Sequence, residues 1–309
     1  MKRVYHSIFF SALDRYGSLI FFLISTAVLA RLLSPAEFGI YAVVNALTTI
    51  IAISFQEFGG SNYLIQKPHL SEQHVRTAFT IILAMSATFA VLLFLLRNPI
   101  AYFFAQDGIG TGIGVACLNL LLSPFAVTSS ALLRRELAFA PLARCNLVGS
   151  FITAAVSIEL ARRGYSYMAP VIGVVCGNAA TAIGLLSLRR NWNIFRLSLL
   201  GYAEVLRFGA YSSGVVLVNV AYNLSPQLIL ARVLGFEAAG MYSRASSMTQ
   251  VFDRLITQVM NPVIGPTLVA HSHDGGDLKK AYLQTIELIT ALQWPFLTFL
   301  ALLAKPIIL

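Results

Sequence analysis

The residues best placed to do chemistry form polar stripes inside otherwise apolar stretches. Ser247, Gln250, Arg254, Thr257 and Asn261 recur at three- and four-residue spacing, which sets them on one helical face, with Asp253 beside Arg254. Ser212, Asn219, Asn223 and Gln227 repeat the pattern in the stretch before, and Asn45, Thr49 and Gln56 in an early one. Amides and hydroxyls offer hydrogen bonds to a polar cargo, and a guanidinium offers a planar fork of donors that fits two phosphate oxygens. Arg15, next to Asp14 near the mouth of the first apolar stretch, and Arg254 are therefore the candidates to meet an anionic head group.

Two uses of these stripes stay open. They line a hydrophilic lumen for a large polar substrate, or they tie helices together by hydrogen bonds, as polar side chains do in membranes. A charge at mid-membrane costs about 2.5 to 3.5 kcal/mol on the insertion scale, so Asp253 and Arg254 are expected to face protein or a wet cavity. Asp14 and Arg15 have a plainer use as well, anchoring their helix at the interface.

No catalytic residue stands out. The sequence has no GxxxxGK[ST], HExxH or GxSxG run, so ATP hydrolysis and the common hydrolase chemistries lack support and no enzyme is expected. His271 and His273 sit two apart in a polar stretch without a further ligand, which falls short of a metal site, and no cofactor is implied. Cys117, Cys145 and Cys176 have no partner at motif spacing and read as small buried side chains.

The elements that must position these residues are set by composition. Hydrophobic residues make up 57% of the 309 positions and charged residues 11%, far from the balance of a water-soluble domain. The stretch Thr77 to Leu96 holds no charge and is long enough to cross the bilayer core, as is Ser166 to Leu188. The full set of expected spans is Tyr16 to Leu33, Phe38 to Phe58, Thr77 to Leu96, Gly112 to Leu133, Ala143 to Ala161, Ser166 to Leu188, Arg207 to Ala231, Ala239 to Val263 and Leu283 to Leu303. Pro124, Pro226 and Pro295 fall inside them, which membrane helices tolerate. The fold class is thus an all-α polytopic helix bundle.

The net charge of +9 reads as topology, not as nucleic-acid binding. With these spans, fourteen Lys and Arg residues fall on the side of the N-terminus and seven on the other, with Arg254 inside a span, so the positive-inside rule puts the N-terminus in the cytoplasm. Asp14 and Arg15 interrupt the first apolar run, so no cleaved signal peptide is expected. The stretch NWNIFRLSLLGYAEVLR reads as an interfacial linker, with Trp192, Phe195 and Leu199 against lipid and Arg190, Arg196 and Glu204 in water.

An internal repeat organises the chain. ARLLSPAEFGIY, from Ala30, aligns without a gap to ARVLGFEAAGMY, from Ala231, at an offset of 201, with five of twelve positions identical. Each copy joins one apolar span to the next, and an even number of spans separates them, so the halves run parallel. This predicts a six-helix lobe over 1–200 and a partial second lobe over 201–309 holding about three helices, with roughly three more expected beyond the last residue. A substrate cavity between parallel lobes is a plan familiar in transporters.

The run ARLLSPAEFGIYAVVNALTTIIAISFQEFGGSNYLIQK resembles the first hairpin of polysaccharide repeat-unit flippases, in the multidrug, oligosaccharidyl-lipid and polysaccharide exporter superfamily. LLRRELAFAPLARCN at 132–146 and LRFGAYSS at 206–213 are similar to that family as well. The resemblance implies translocation of undecaprenyl-diphosphate-linked oligosaccharide repeat units across the bacterial inner membrane by alternating access, for exopolysaccharide or lipopolysaccharide biosynthesis. It implies as partners the lipid-linked oligosaccharide, membrane lipids, and a polysaccharide polymerase and export machinery, with no nucleic acid. A multidrug exporter of the same superfamily is the alternative, and would favour an acidic, aromatic-lined cavity. A membrane-embedded polymerase or ligase is the other, and would be expected to carry its chemistry in a long external loop.

Overall fold

A computed structural model describes residues 2–58, 61–67, 69–136, 138–188, 192–252 and 278–302. Those residues form helices and short connections: α1 (Lys2–Leu32), α2 (Pro35–Phe58), α3 (Ser61–Gln66), α4 (Glu72–Phe103), α5 (Asp107–Arg135), α6 (Phe139–Arg162), α7 (Met168–Ser187), α8 (Tyr202–Val233), α9 (Phe236–Phe252) and α10 (Leu278–Leu302), with a 3-10 turn at Trp192–Phe195. Among the described residues, six helices are long and apolar enough to cross a membrane, from α1, α2, α4, α5, α6 and α7. The chain is therefore a multi-pass, all-α membrane protein. The helices run on through Pro124, Pro226 and Pro295 as expected, and α4 also continues past Leu96 through Pro99.

By compactness the chain divides into a unit of Met1–Gly240 and a unit of Met241–Leu309. The first extends past residue 200 because α8 packs along α2. Within it α6 lies on α7, α4 on α5 and α1 on α6. The α6–α7 approach is close: a β-carbon at Gly149 would strike the Thr181 hydroxyl, and one at Gly177 the Thr153 hydroxyl. Small residues at such crossings let backbones approach, which is what holds helices together where lipid removes the hydrophobic drive.

The core of the first unit gathers Ile40, Val43 and Val44 of α2, Ile82 and Leu93 of α4, and Ile109, Ile113 and Leu120 of α5. Ser86 of α4 donates to the Leu120 carbonyl between them. Outside, Leu95, Leu118, Phe151 and Ile183 are exposed. That many large apolar side chains facing outward suits acyl chains and not water.

The two similar sequence segments fall at matching helix boundaries. α1 ends at Leu32 and α2 opens at Pro35, while α8 ends at Val233 and α9 opens at Phe236, the same places shifted by 201. The two turns use different chemistry. In the first, Ser34 accepts from the Glu37 backbone at 3.3 Å and the Glu37 carboxylate accepts from the Ser34 backbone at 2.7 Å, a reciprocal cap. In the second, Gly235 takes a left-handed backbone with φ of 88°, which needs no side chain to close the turn.

At one end of the first unit, Arg135 donates to the carbonyls of Leu64, Ile65 and Lys67 where α3 finishes. Carbonyls at a helix end lack intrahelical partners, and the guanidinium supplies them. Lys67 in turn reaches Glu204 of α8 at 2.7 Å and the Tyr63 hydroxyl at 2.8 Å.

The linker before α8 differs from the sequence expectation. Trp192 and Leu199 are exposed, as an interfacial piece should be, but Phe195 is half-buried on Phe79 and Phe125, 5.1 and 5.6 Å between ring centroids. Thr77 donates to the Leu200 carbonyl at 2.8 Å, and the Ser198 backbone donates to Thr80 at 2.9 Å. The linker is thus pinned to α4, with the ring of Phe195 packed against the rings of Phe79 and Phe125.

Candidate functional site

α2, α5 and α7 meet around a polar trough. Asn45, Thr48, Thr49 and Ala52 bring one helical face of α2 to it, Ala116, Asn119 and Ser123 one face of α5, and Val171, Val174, Val175, Asn178 and Thr181 one face of α7. Spacings of three and four residues on each helix are what make these faces continuous. The trough consists of two adjoining hollows of about 180 Å³ each, which share Ala52, Asn119 and Asn178.

Asn178 donates to the Asn119 carbonyl oxygen at 2.7 Å. Thr48 and Thr181 spend their hydroxyls on carbonyls of their own helices, Val44 at 2.8 Å and Gly177 at 3.0 Å. Asn45 is exposed. None of the residues lining the two hollows carries a charge.

Of the residues singled out by sequence, Asn45 and Thr49 line this trough. Asp14 does not: it is half-buried between α1 and α6, where Asn146 donates to it at 2.8 Å and Ser18 at 3.5 Å. Ser150 extends that cluster with a 3.0 Å bond to Ser18. Arg15, also half-buried, is on α1 and away from the trough lining. Gln56 belongs to α2, beyond the described side chains.

On α8, Asn219 and Asn223 are exposed, with Asn223 donating to the Asn219 carbonyl at 2.8 Å, and Gln227 is buried. In the second unit Gln250 is exposed and bonds Ser246 at 3.2 Å. Asp253, Arg254, Thr257 and Asn261 lie outside the described residues, as do His271 and His273.

Sequence reasoning missed Asn119 and Asn178. Each is one amide in a stretch that is otherwise apolar, so no stripe announces it. The available signal was pairwise: Asn119 with Ser123, and Asn178 with Thr181, each at helical spacing.

These features define a class: a polytopic helical membrane protein with an uncharged polar trough where three of its apolar helices meet. The chain belongs to the polysaccharide biosynthesis protein family, whose sequence pattern matches residues 28–309. It is 24% identical over 308 residues to the succinoglycan biosynthesis transport protein ExoT of Rhizobium meliloti, covering 100% of this chain and 62% of that protein. It is 23% identical over 283 residues to the lipopolysaccharide biosynthesis protein WzxC of Escherichia coli, covering 89% and 56%. A third relative, the teichuronic acid biosynthesis protein TuaB of Bacillus subtilis, is 21% identical over 253 residues, covering 81% and 52%. The chain therefore spans between 52% and 62% of the length of these relatives. No solved structure matches it.

Proposed function

We propose that the chain takes part in moving lipid-linked oligosaccharide repeat units across the bacterial inner membrane for surface polysaccharide biosynthesis, by alternating access of two repeat lobes, 1–200 and 201–309. The observation that carries this reading is the trough: amides and hydroxyls set near the middle of helices long and apolar enough to cross a membrane, where a polar group without a partner is costly. A hydroxyl-rich cargo supplies such partners. Membership of a polysaccharide biosynthesis family, with a relative named for succinoglycan transport, supports the same direction.

The lipid tail stays in the bilayer while the sugars cross through the polar interior, and Arg15 and Arg254 are the residues assigned to the diphosphate. The N-terminus is cytoplasmic by the excess of Lys and Arg on its side. The role is transport and not catalysis. An exporter of cationic drugs would be served by carboxylates, and the trough lining offers none.

The test is transbilayer movement of a labelled lipid-diphosphate glycan in vesicles holding the protein, compared with its Arg254→Ala variant. Slower movement in the variant is expected. Equal movement in both removes the Arg254 assignment, and absence of movement with the unaltered protein removes the function.

A further inference from the structure

We propose that the α2–α5–α7 trough is a subsite for uncharged sugar residues of the cargo, read by the amides of Asn45, Asn119 and Asn178. The inference rests on the transport reading above and narrows it to a chemical class of ligand at named side chains.

The accounting of hydrogen bonds leads to it. An asparagine side chain has two N–H donors and a carbonyl oxygen with two lone pairs. The Asn178–Asn119 bond uses one donor of Asn178 and one lone pair of Asn119. What remains between the two is three N–H groups and three lone pairs, side by side, with no other protein partner for either residue among the described ones. Asn45 adds to the lining a further amide with no side-chain hydrogen bond among the described residues. Alternating donors and acceptors of that kind match neighbouring sugar hydroxyls, each of which both donates and accepts.

Helix tying alone explains one bond and leaves the rest of these groups idle. Their depth makes idleness expensive: Asn178 sits near the midpoint of α7 (Met168–Ser187) and Asn119 near that of α5 (Asp107–Arg135). Polar atoms there need water or a polar ligand. Apolar side chains share the lining with these amides, Val44 on α2 and Val171, Val174 and Val175 on α7. A pyranose ring has the same division, hydroxyls around its rim and C–H groups on its faces.

The absence of charge from the lining excludes the other half of the cargo from this place. A diphosphate moved here would lose hydration with no guanidinium or ammonium to replace it. A metal cation would find no carboxylate.

The experiment measures binding to the whole chain in nanodiscs with two probes, a set of neutral gluco- and galacto-tetrasaccharides and sugar-free undecaprenyl diphosphate. Asn178→Leu and Asn119→Leu are expected to weaken the best-bound tetrasaccharide at least about tenfold and leave the diphosphate probe unchanged, because a site built for hydroxyls loses much when its polar groups go. Asn178→Gln is expected to recover part of the loss, and unfolding midpoints confirm that each variant folds. Equal weakening of both probes, unchanged sugar affinity in folded variants, or no tetrasaccharide binding by the unaltered protein each overturns the proposal. Transport without sugar binding sinks this subsite alone, whereas sugar binding without transport sinks the flippase reading alone.

Discussion

Gly39 and Gly240 are equivalent positions of the repeat, and each closes on the turn that the other's helix begins with. A β-carbon on Gly39 would strike the Phe236 carbonyl oxygen, and one on Gly240 would strike the Pro35 carbonyl oxygen. Pro35 and Phe236 are themselves 201 apart. A shift of 201 in the sequence thus turns each of these two close approaches into the other.

The glycine crossing gives a prediction by sign. In an open helix, Gly→Ala stabilises by about 1 kcal/mol through backbone entropy. Here the added methyl meets backbone carbonyl, which cannot turn aside as a long side chain would. Gly39→Ala and Gly240→Ala are each expected to destabilise by about 1 to 3 kcal/mol, the usual cost of overpacking. Their double variant should cost less than the sum, since both force apart the same pair of turns. Unfolding midpoints in detergent decide it, and a stabilised Gly39→Ala would show that the crossing has room.

The Lys67–Glu204 pair predicts how stability responds to pH. Lys67 holds the Glu204 carboxyl below its ordinary range, and Glu204, with Tyr63 second, holds the Lys67 ammonium above its own. A lowered carboxyl stabilises above its unfolded pKa, and that share is lost as pH falls through the folded value. A raised ammonium stabilises below its unfolded pKa, and its share is lost as pH rises through the folded value. Stability from this pair is thus flat through neutrality and falls at both extremes. Glu204 is exposed, so the effect is small and shrinks further in high salt. Glu204→Gln should flatten both limbs relative to the unaltered protein in a pH series of unfolding midpoints, and parallel curves would count against it.

How much of this was legible in the sequence depends on whether a residue's meaning is set by its neighbours in the chain. The turns at 32–35 and 233–236 were, because both copies place Arg and Leu before the turn and Gly four positions into the next helix. The helix bundle was, because apolar runs of bilayer length leave the backbone no other way to satisfy itself. Asn119 and Asn178 were not, since a single amide in an apolar span looks the same whether it faces a trough, a helix or lipid. Phe195 failed for the same reason: an aromatic ring suits an interface and a core equally, and only the position of Phe79 and Phe125 chooses. The stripe through Arg254 stays a reading of spacing, as its residues from 253 onward lie outside the described ones.

Phe195 supplies a contrast with its neighbour. Phe195→Ala removes a ring wedged on two others and is expected to cost about 2 to 3 kcal/mol, at the lower end for aromatic truncation because the site is half-buried. Trp192, 62% exposed, should cost under 0.5 kcal/mol when changed to Ala in detergent, in the manner of surface substitutions. Equal losses at both positions would mean that the turn from Trp192 to Phe195 packs as one piece and that the ring of Phe195 is not its anchor.

Asp14 and Asn146 separate a structural carboxylate from a substrate-facing one. Asn146 donates to Asp14 at 2.8 Å across the α1–α6 contact, and among the described residues the other oxygen has a single, longer bond, from Ser18 at 3.5 Å. Asn146→Leu leaves a half-buried carboxylate short of its main donor and is expected to cost about 1 to 3 kcal/mol, while Asp14→Leu combined with Asn146→Leu should return most of that, because removing both partners strands neither. Transport by the double variant then carries the information. If Asp14 serves only to join α1 to α6, the refolded double variant moves lipid-linked glycan as fast as the unaltered protein. If Asp14 meets the cargo, as its place beside Arg15 suggested, stability returns and transport does not, and the α1–α6 cluster joins the trough as part of the substrate path.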